Sequence, residues 1–259
     1  MRERHTPVRA AVLLLGALSL TLGCGDGATA KQPPEQSIET AESVSRSATI
    51  PAPFNTTPTN DDTDETSIAL NARIFGAGPT GVILAHGRPA DQTSWFPFAT
   101  KLAAAGGFTV MTFDFRGYGD STGDKAFDRS DTDLMAAYDY MRQTLGVSRI
   151  FLVGASTAGT AAFVVAARVP VAGVISISSP AQFESLDALG AVSQINAPKL
   201  FITSKGDVPA ERSERDLLDA ASEPKDEQVY EGNANGTDLF AGPHADELDQ
   251  RLLEFLEHS

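Results

Sequence analysis

One serine in this 259-residue chain stands in a setting that could activate it. Phe151-Leu152-Val153-Gly154-Ala155-Ser156-Thr157-Ala158-Gly159 runs a hydrophobic strand into a serine flanked by small residues, and then into a helix. A turn sharp enough to lift the Ser156 hydroxyl above a sheet crowds the backbone two residues before and two residues after it. Those places must therefore be small, and Gly154 and Ala158 fill them, with Gly159 next. A hydroxyl so placed could add to an ester carbonyl. The Thr157 N–H, at the start of the following helix, would point at the oxygen on which negative charge develops. A strand–helix turn of another kind of α/β domain can have the same composition, so the motif alone leaves both readings open.

Two further motifs lie upstream. His86-Gly87 ends an apolar run, Val82 to Ala85, and the next backbone N–H, that of Arg88, could supply a second donor to the same oxygen. His86 itself reads as a structural hydrogen-bonding residue, on the wrong side of the site for a base. Asp114-Phe115-Arg116-Gly117-Tyr118-Gly119-Asp120-Ser121 directly follows the β-rich run Phe108 to Phe113. Its glycines permit a tight turn, and its Asp and Arg are expected to tie the loop together.

The elements that must position these residues alternate. Strands are expected at 67–75, 82–85, 108–113, 149–153, 171–177, 199–203 and 226–230. Helices are expected at 94–105, 131–145, 156–168, 209–221 and 244–257. For 131–145, Leu134, Tyr138, Met141 and Leu145 fall on one face. Near-continuous apolar strands between helices mean a mostly parallel sheet covered on both faces, a three-layer α/β/α sandwich. Ligands of such a sheet bind beyond the carboxyl ends of its strands. Only 21 residues, 178–198, separate two of the late strands, enough for one short helix and a loop, so a minimal lid and an open pocket are expected. Trp95, Phe96, Phe98 and Phe183 read as core aromatics before they read as pocket walls.

The three motifs, in this order and spacing, resemble the α/β-hydrolase fold superfamily, of serine esterase and lipase type, over residues 67–259. The resemblance implies a nucleophile at Ser156 and oxyanion donors at Thr157 and Arg88. It also implies an acid after a late strand and a histidine after the last one. Ser204-Lys205-Gly206-Asp207 follows the strand at 199–203, which makes Asp207 the acid; an ordinary helix cap ahead of Pro209 is its alternative. The histidine position, where the family has His-Gly, falls 28 residues later at Asn235-Gly236. An amide has no proton affinity near neutral pH. In a well-studied serine protease, loss of the histidine costs on the order of 10⁶-fold in turnover. Of the four histidines, His5 lies near the N-terminus and His258 near the C-terminus. His244, in Gly242-Pro243-His244-Ala245, is the remaining candidate for a substitute base, although Pro243 marks a helix start that leads it away. Two functions follow: a carboxylesterase-like enzyme acting through Ser156, or a catalytically inactive relative that binds a ligand or partner.

The start of the chain differs in kind. Arg2, Arg4 and Arg9 precede an apolar run from Ala10 to Leu22, too short to span a bilayer comfortably. Leu22-Gly23-Cys24 then resembles a bacterial lipoprotein signal, in which the cysteine is lipidated. The expectation is a signal peptide over 1–23 and an acidic Ser/Thr/Pro-rich tether over 24–65, followed by the hydrolase-like domain over 66–259. This would put the protein in the bacterial cell envelope, anchored to membrane through Cys24. The domain holds 15 basic and 25 acidic residues, and the whole chain carries a net −14, which argues against nucleic acid as a partner. The single cysteine excludes an intramolecular disulfide. Without a Gly-rich phosphate loop, no cofactor or metal is expected, and the ligand is expected to be a small ester-like molecule.

Overall fold

The computed structural model describes residues 45–53 and 67–259. Eight strands form one sheet in the order β1-β2-β4-β3-β5-β6-β9-β10. They are β1 (Ser45–Ala52), β2 (Ile68–Gly76), β3 (Thr80–Ala85), β4 (Phe108–Phe113), β5 (Arg149–Ala155), β6 (Gly173–Ile177), β9 (Lys199–Ser204) and β10 (Lys225–Tyr230). Two-residue strands β7 (Gln182–Phe183) and β8 (Leu186–Asp187) form a small separate hairpin. The β1–β2 and β2–β4 pairs are antiparallel, and every other pair in the sheet is parallel. The helices are α1 (Phe96–Ala105), α2 (Ser130–Asp139), α3 (Thr157–Ala166), α4 (Ala188–Val192), α5 (Val208–Ala220) and α6 (Ala245–His258).

Both faces of the sheet are covered, as the apolar strands require. On one face Phe98 and Leu102 of α1 and Leu248, Leu252 and Leu256 of α6 pack on Val82, Leu84, Val110, Phe151 and Ile175. On the other, α2, α3, α4 and α5 cover Ile83, Met111, Ile150, Leu152 and Val174. All ten residues of α3 are buried. Its Ala, Gly and Thr side chains let a helix apolar all round sit at the centre of that layer. The result is a mostly parallel, three-layer α/β/α sandwich.

Two sequence expectations change. The tether expected through residue 65 fails at Ser45–Ala52, which form β1 along the edge of β2. Ala48, Ile50 and Ala52 alternate toward the core, and Ile50 is completely buried. Eight alternating residues suffice for a strand when a neighbouring edge offers its hydrogen bonds, and the polar average of the surrounding stretch hides them. Pro51 fits because β1 is an edge strand. Residues 1–44 and 54–66, including the signal peptide and Cys24, lie outside the described residues. The helix expected over 131–145 is also not uniform. Past Asp139 it widens into a π turn, Tyr140–Thr144, closed by Leu145 N–H to the Tyr140 carbonyl at 3.1 Å.

Candidate active site

Ser156 sits between β5 and α3 with φ 50 and ψ −127, a left-handed conformation that a non-glycine residue adopts only when its surroundings impose it. Its N–H bonds to the Ile177 carbonyl at 2.7 Å, and its carbonyl accepts from Gly159 N–H at 2.9 Å. A methyl on Gly154 would lie 2.5 Å from the backbone of Ala158 and Gly159, so only glycine fits there. Ala158 is accommodated with its side chain fully buried. Gly159 presses against Ser179, whose Oγ would be 1.8 Å from an added methyl. The hydroxyl of Ser156 caps no helix N–H, although the residue stands at the N-cap position of α3.

Two loops close on this turn. Gly87 lies so near that an added methyl would come within 2.8 Å of Ser156 Cβ. Arg88 follows Gly87 in the chain, and its N–H donates to no backbone acceptor among the described residues. Thr157, the first residue of α3, has an N–H without an intrahelical partner. From the other side, Gly236 approaches Ser156 Cβ at a distance that would leave an added methyl 3.7 Å away.

Asp207 stands at the N-cap of α5, yet its carboxylate does not cap that helix. It accepts instead from Asn235 Nδ2 at 2.6 Å. Gly206 N–H bonds to the Gly232 carbonyl at 2.7 Å, and Ser204 Oγ to the Ala234 carbonyl at 2.9 Å, lacing the two loops together. The carboxyl edge of the sheet thus gathers Ser156, Thr157, Arg88, Asp207 and Asn235. The Asn235 amide in this group cannot take up a proton near neutral pH.

The histidines among the described residues are committed elsewhere. His86 is buried, its Nε2 accepts from Phe115 N–H at 3.1 Å, and burial pushes its pKa down. Its one unprotonated nitrogen is therefore already used. His244 stands at the N-cap of α6, its Nδ1 3.2 Å from Glu247 and its ring 5.3 Å from that of Tyr230. His258 Nδ1 lies 2.8 Å from the Glu254 carbonyl.

The loop after β4 is tied as expected, though through different partners. Asp114 accepts from Gln92 N–H at 2.9 Å and Gln92 Nε2 at 2.8 Å. Arg116 reaches across to Asp133 of α2, with contacts of 2.6 and 3.0 Å between two buried side chains. Trp95 and Phe98 are core residues and pack around Phe240. One group went unforeseen. Glu214 of α5 is buried, and its Oε1 accepts from Ser176 Oγ at 2.5 Å and Ser179 N–H at 2.7 Å. Burial lifts its pKa to about 8. The signal was present, since Ala210, Glu214 and Leu217 share the buried stripe of α5.

The class that this sheet and turn define is the α/β-hydrolase fold, and a family model described by that name matches residues 81–196. Two uncharacterized proteins of Mycobacterium tuberculosis, from strains CDC 1551 and H37Rv, are 30% identical to the chain over 193 residues. The match spans 64% of this chain and 66% of theirs. Among solved structures, an esterase of Pyrococcus furiosus matches with a TM-score of 0.67 at 17% identity, over 85% of this chain and 95% of its own. A monoacylglycerol lipase of Paleococcus ferrophilus gives 0.64 at 20% identity, over 73% and 99%. A dienelactone hydrolase of Anabaena variabilis gives 0.64 at 21% identity, over 83% and 98%. The chain has the α/β-hydrolase fold.

Proposed function

We propose that the domain is a serine-esterase-type site that binds an ester carbonyl at Ser156 and turns it over feebly, because an amide stands where the proton acceptor should. The observation that carries this reading is the 2.6 Å hydrogen bond from Asn235 Nδ2 to Asp207. A histidine in that place would be held by the same carboxylate and would present its other nitrogen to Ser156. In acyl transfer, Ser156 Oγ bonds to the carbonyl carbon and the alcohol C–O bond breaks. The serine proton must leave and the alcohol must gain one. With Asn235, water alone can accept and donate these protons, while the N–H groups of Thr157 and Arg88 still stabilise the oxyanion. Similar structures named as an esterase, a monoacylglycerol lipase and a dienelactone hydrolase support ester chemistry as the ancestral activity.

The test combines fluorophosphonate labelling of Ser156 with turnover of a short-chain activated ester. Weak labelling and weak turnover in the native protein, with both rising in Asn235→His, are the expected result. Native turnover at ordinary enzyme rates would overturn it. A catalytically inactive ligand- or partner-binding role is the second reading, favoured by the exposed position of Asn235 and the commitment of His86 and His244 to other contacts.

Location belongs to the same proposal. Among the described residues no helix is long and apolar enough to cross a membrane. The Leu22-Gly23-Cys24 motif supports export and lipid anchoring in the cell envelope. Metabolic labelling with a fatty acid, lost in Cys24→Ser together with membrane sedimentation, is the expected outcome.

A further inference from the structure

The rim of the site on its β3–β4 side carries a cation that nothing above uses. Arg88 follows Gly87, the residue packed on Ser156, so its side chain begins one residue from the reactive turn. Its guanidinium lies 5.0 Å from the ring centroid of Phe183 and 5.8 Å from that of Phe127. Two aromatic neighbours restrict the plane of a guanidinium and leave its N–H edge free to bind. That edge makes no hydrogen bond among the described residues. The acid facing it, Glu184, stops at 3.9 Å, and both side chains are about half exposed, at 46% and 47%. Glu184 occupies the turn of the β7–β8 hairpin with φ 53, so the hairpin brings it over Arg88 without closing the pair.

The same patch holds a second cation. Lys125 Nζ lies 4.5 Å over the ring of Tyr118. Tyr118 follows β4, and burial pushes its phenol pKa up, with the Arg88 charge opposing and the Glu184 charge adding to that shift. Ring contacts of Tyr118 with Phe127 and of Phe127 with Phe183 join these groups, so two cations, three aromatic rings and one loosely held carboxylate form one patch beginning one residue from Gly87, in a domain that is otherwise acidic. Planar carboxylates match the fork of a guanidinium edge to edge.

We propose that Arg88 is a specificity contact for a carboxylate carried by the ligand itself, and that the ligand class is an ester bearing one free carboxylate, such as a monoester of a dicarboxylic acid. The ligand carboxylate replaces Glu184 at the guanidinium, and the partly buried Phe183 walls the methylene chain between acid and ester. This rests on the reading that the Ser156 site binds esters.

The experiment compares monoethyl adipate with diethyl adipate by calorimetric titration of the full chain. A charge-assisted hydrogen bond at a half-exposed arginine is worth about tenfold in affinity. The native protein should therefore prefer the monoester about tenfold, Arg88→Gln should bring the ratio near one, and Glu184→Gln should raise it. The Arg88 Nε–H resonance should shift with the monoester and stay in place with the diester, a readout that needs no variant to fold. Equal affinity for the two esters, a preference that survives in Arg88→Gln, or no binding of either would each overturn the proposal. Preferential binding of the monoester alongside an Asn235→His variant that hydrolyses no ester would sink the esterase reading and leave this one standing. Asn235→His turnover that is equal on both esters would do the reverse.

Discussion

Around Ser156 nearly every neighbour is dictated by a contact, whereas the Asn235 side chain is exposed and held by a single bond, to Asp207. On the serine side, Gly154, Gly87 and Gly159 each lie where an added methyl would meet other atoms at 2.8 Å or less, and the serine holds a strained backbone conformation. On the other side, Asn235 is exposed and bonds Asp207. The contrast separates two requirements of acyl transfer. Positioning a hydroxyl and an oxyanion pocket takes many residues that also hold up the core. Moving the proton takes one side chain at the surface, which can change identity without disturbing the fold.

The strongest way to sharpen this contrast is to place an imidazole at position 235. Asn235→His should raise turnover of an activated ester by on the order of 10²–10⁴-fold, the usual worth of a positioned general base. It should introduce a pH–rate limb near the ordinary imidazole pKa, about 6.5. Steady-state kinetics over pH 5–8 measures both. A variant that folds and remains inactive would mean that the serine side is no longer a working half. Breaking that half is the next effect in size. Gly154→Ala forces a methyl onto backbone that cannot move aside, and a loss of about 3 kcal/mol in unfolding free energy is expected. Urea denaturation reads it, and a loss well under 1 kcal/mol would show that the turn is slack.

Glu214 extends the comparison, because it buttresses the serine side from behind. Its carboxyl holds Ser176 and Ser179, and Ser179 packs on Gly159 in the first turn of α3. In the unfolded chain this acid titrates at about 4.5, and in the folded protein at about 8. Between those values the unfolded state releases a proton that the folded state keeps. This contribution to stability is therefore complete below about pH 4.5 and is lost as pH rises to about 8, with a slope of at most about 1.4 kcal/mol per pH unit. Glu214→Gln keeps an oxygen for Ser176 and Ser179 and should flatten that decline. Chemical denaturation at several pH values, native against variant, checks it; an identical slope in both would remove Glu214 from the account.

How much of this could be read beforehand depends on the range of the interaction. The strands β4 and β9 and the turn at Ser156 are local features, set by consecutive apolar residues or by small residues at fixed offsets, and they stand where the sequence put them. Asn235 follows from the resemblance, which sets His-Gly 28 residues after the acid, and in the structure its amide bonds Asp207. Arg116 was expected to serve its own loop, but its partner is Asp133, 17 residues away on α2. Nothing in the spacing selects that acid over its neighbours. Glu214 is one of several charges on α5, and it is its place in the buried Ala210–Leu217 stripe, set against the sheet, that marks it out. β1 was missed for a related reason. Its alternation extends over only eight residues, and what stabilises it is the free edge of β2, which local composition does not report.

The smallest expected effect decides whether the two halves are as unequal as they look. His244 is the one histidine near enough in sequence to Asn235 to have taken over its task. Its ring, however, rests on Tyr230, its Nδ1 faces Glu247, and its carbonyl accepts from Leu248 N–H at 2.8 Å in the first turn of α6. Reaching Ser156 would require it to give up the ring contact and the Glu247 pairing and would unwind that turn. Those losses, each small, have nothing to offset them, because Asp207 is already bonded to Asn235. His244→Gln should therefore change trace ester turnover by less than about twofold and unfolding free energy by no more than about 0.5 kcal/mol, as for a surface substitution. Turnover that disappears with His244 would locate the base on α6 and make the Asn235 side a relocated half of the site instead of an emptied one.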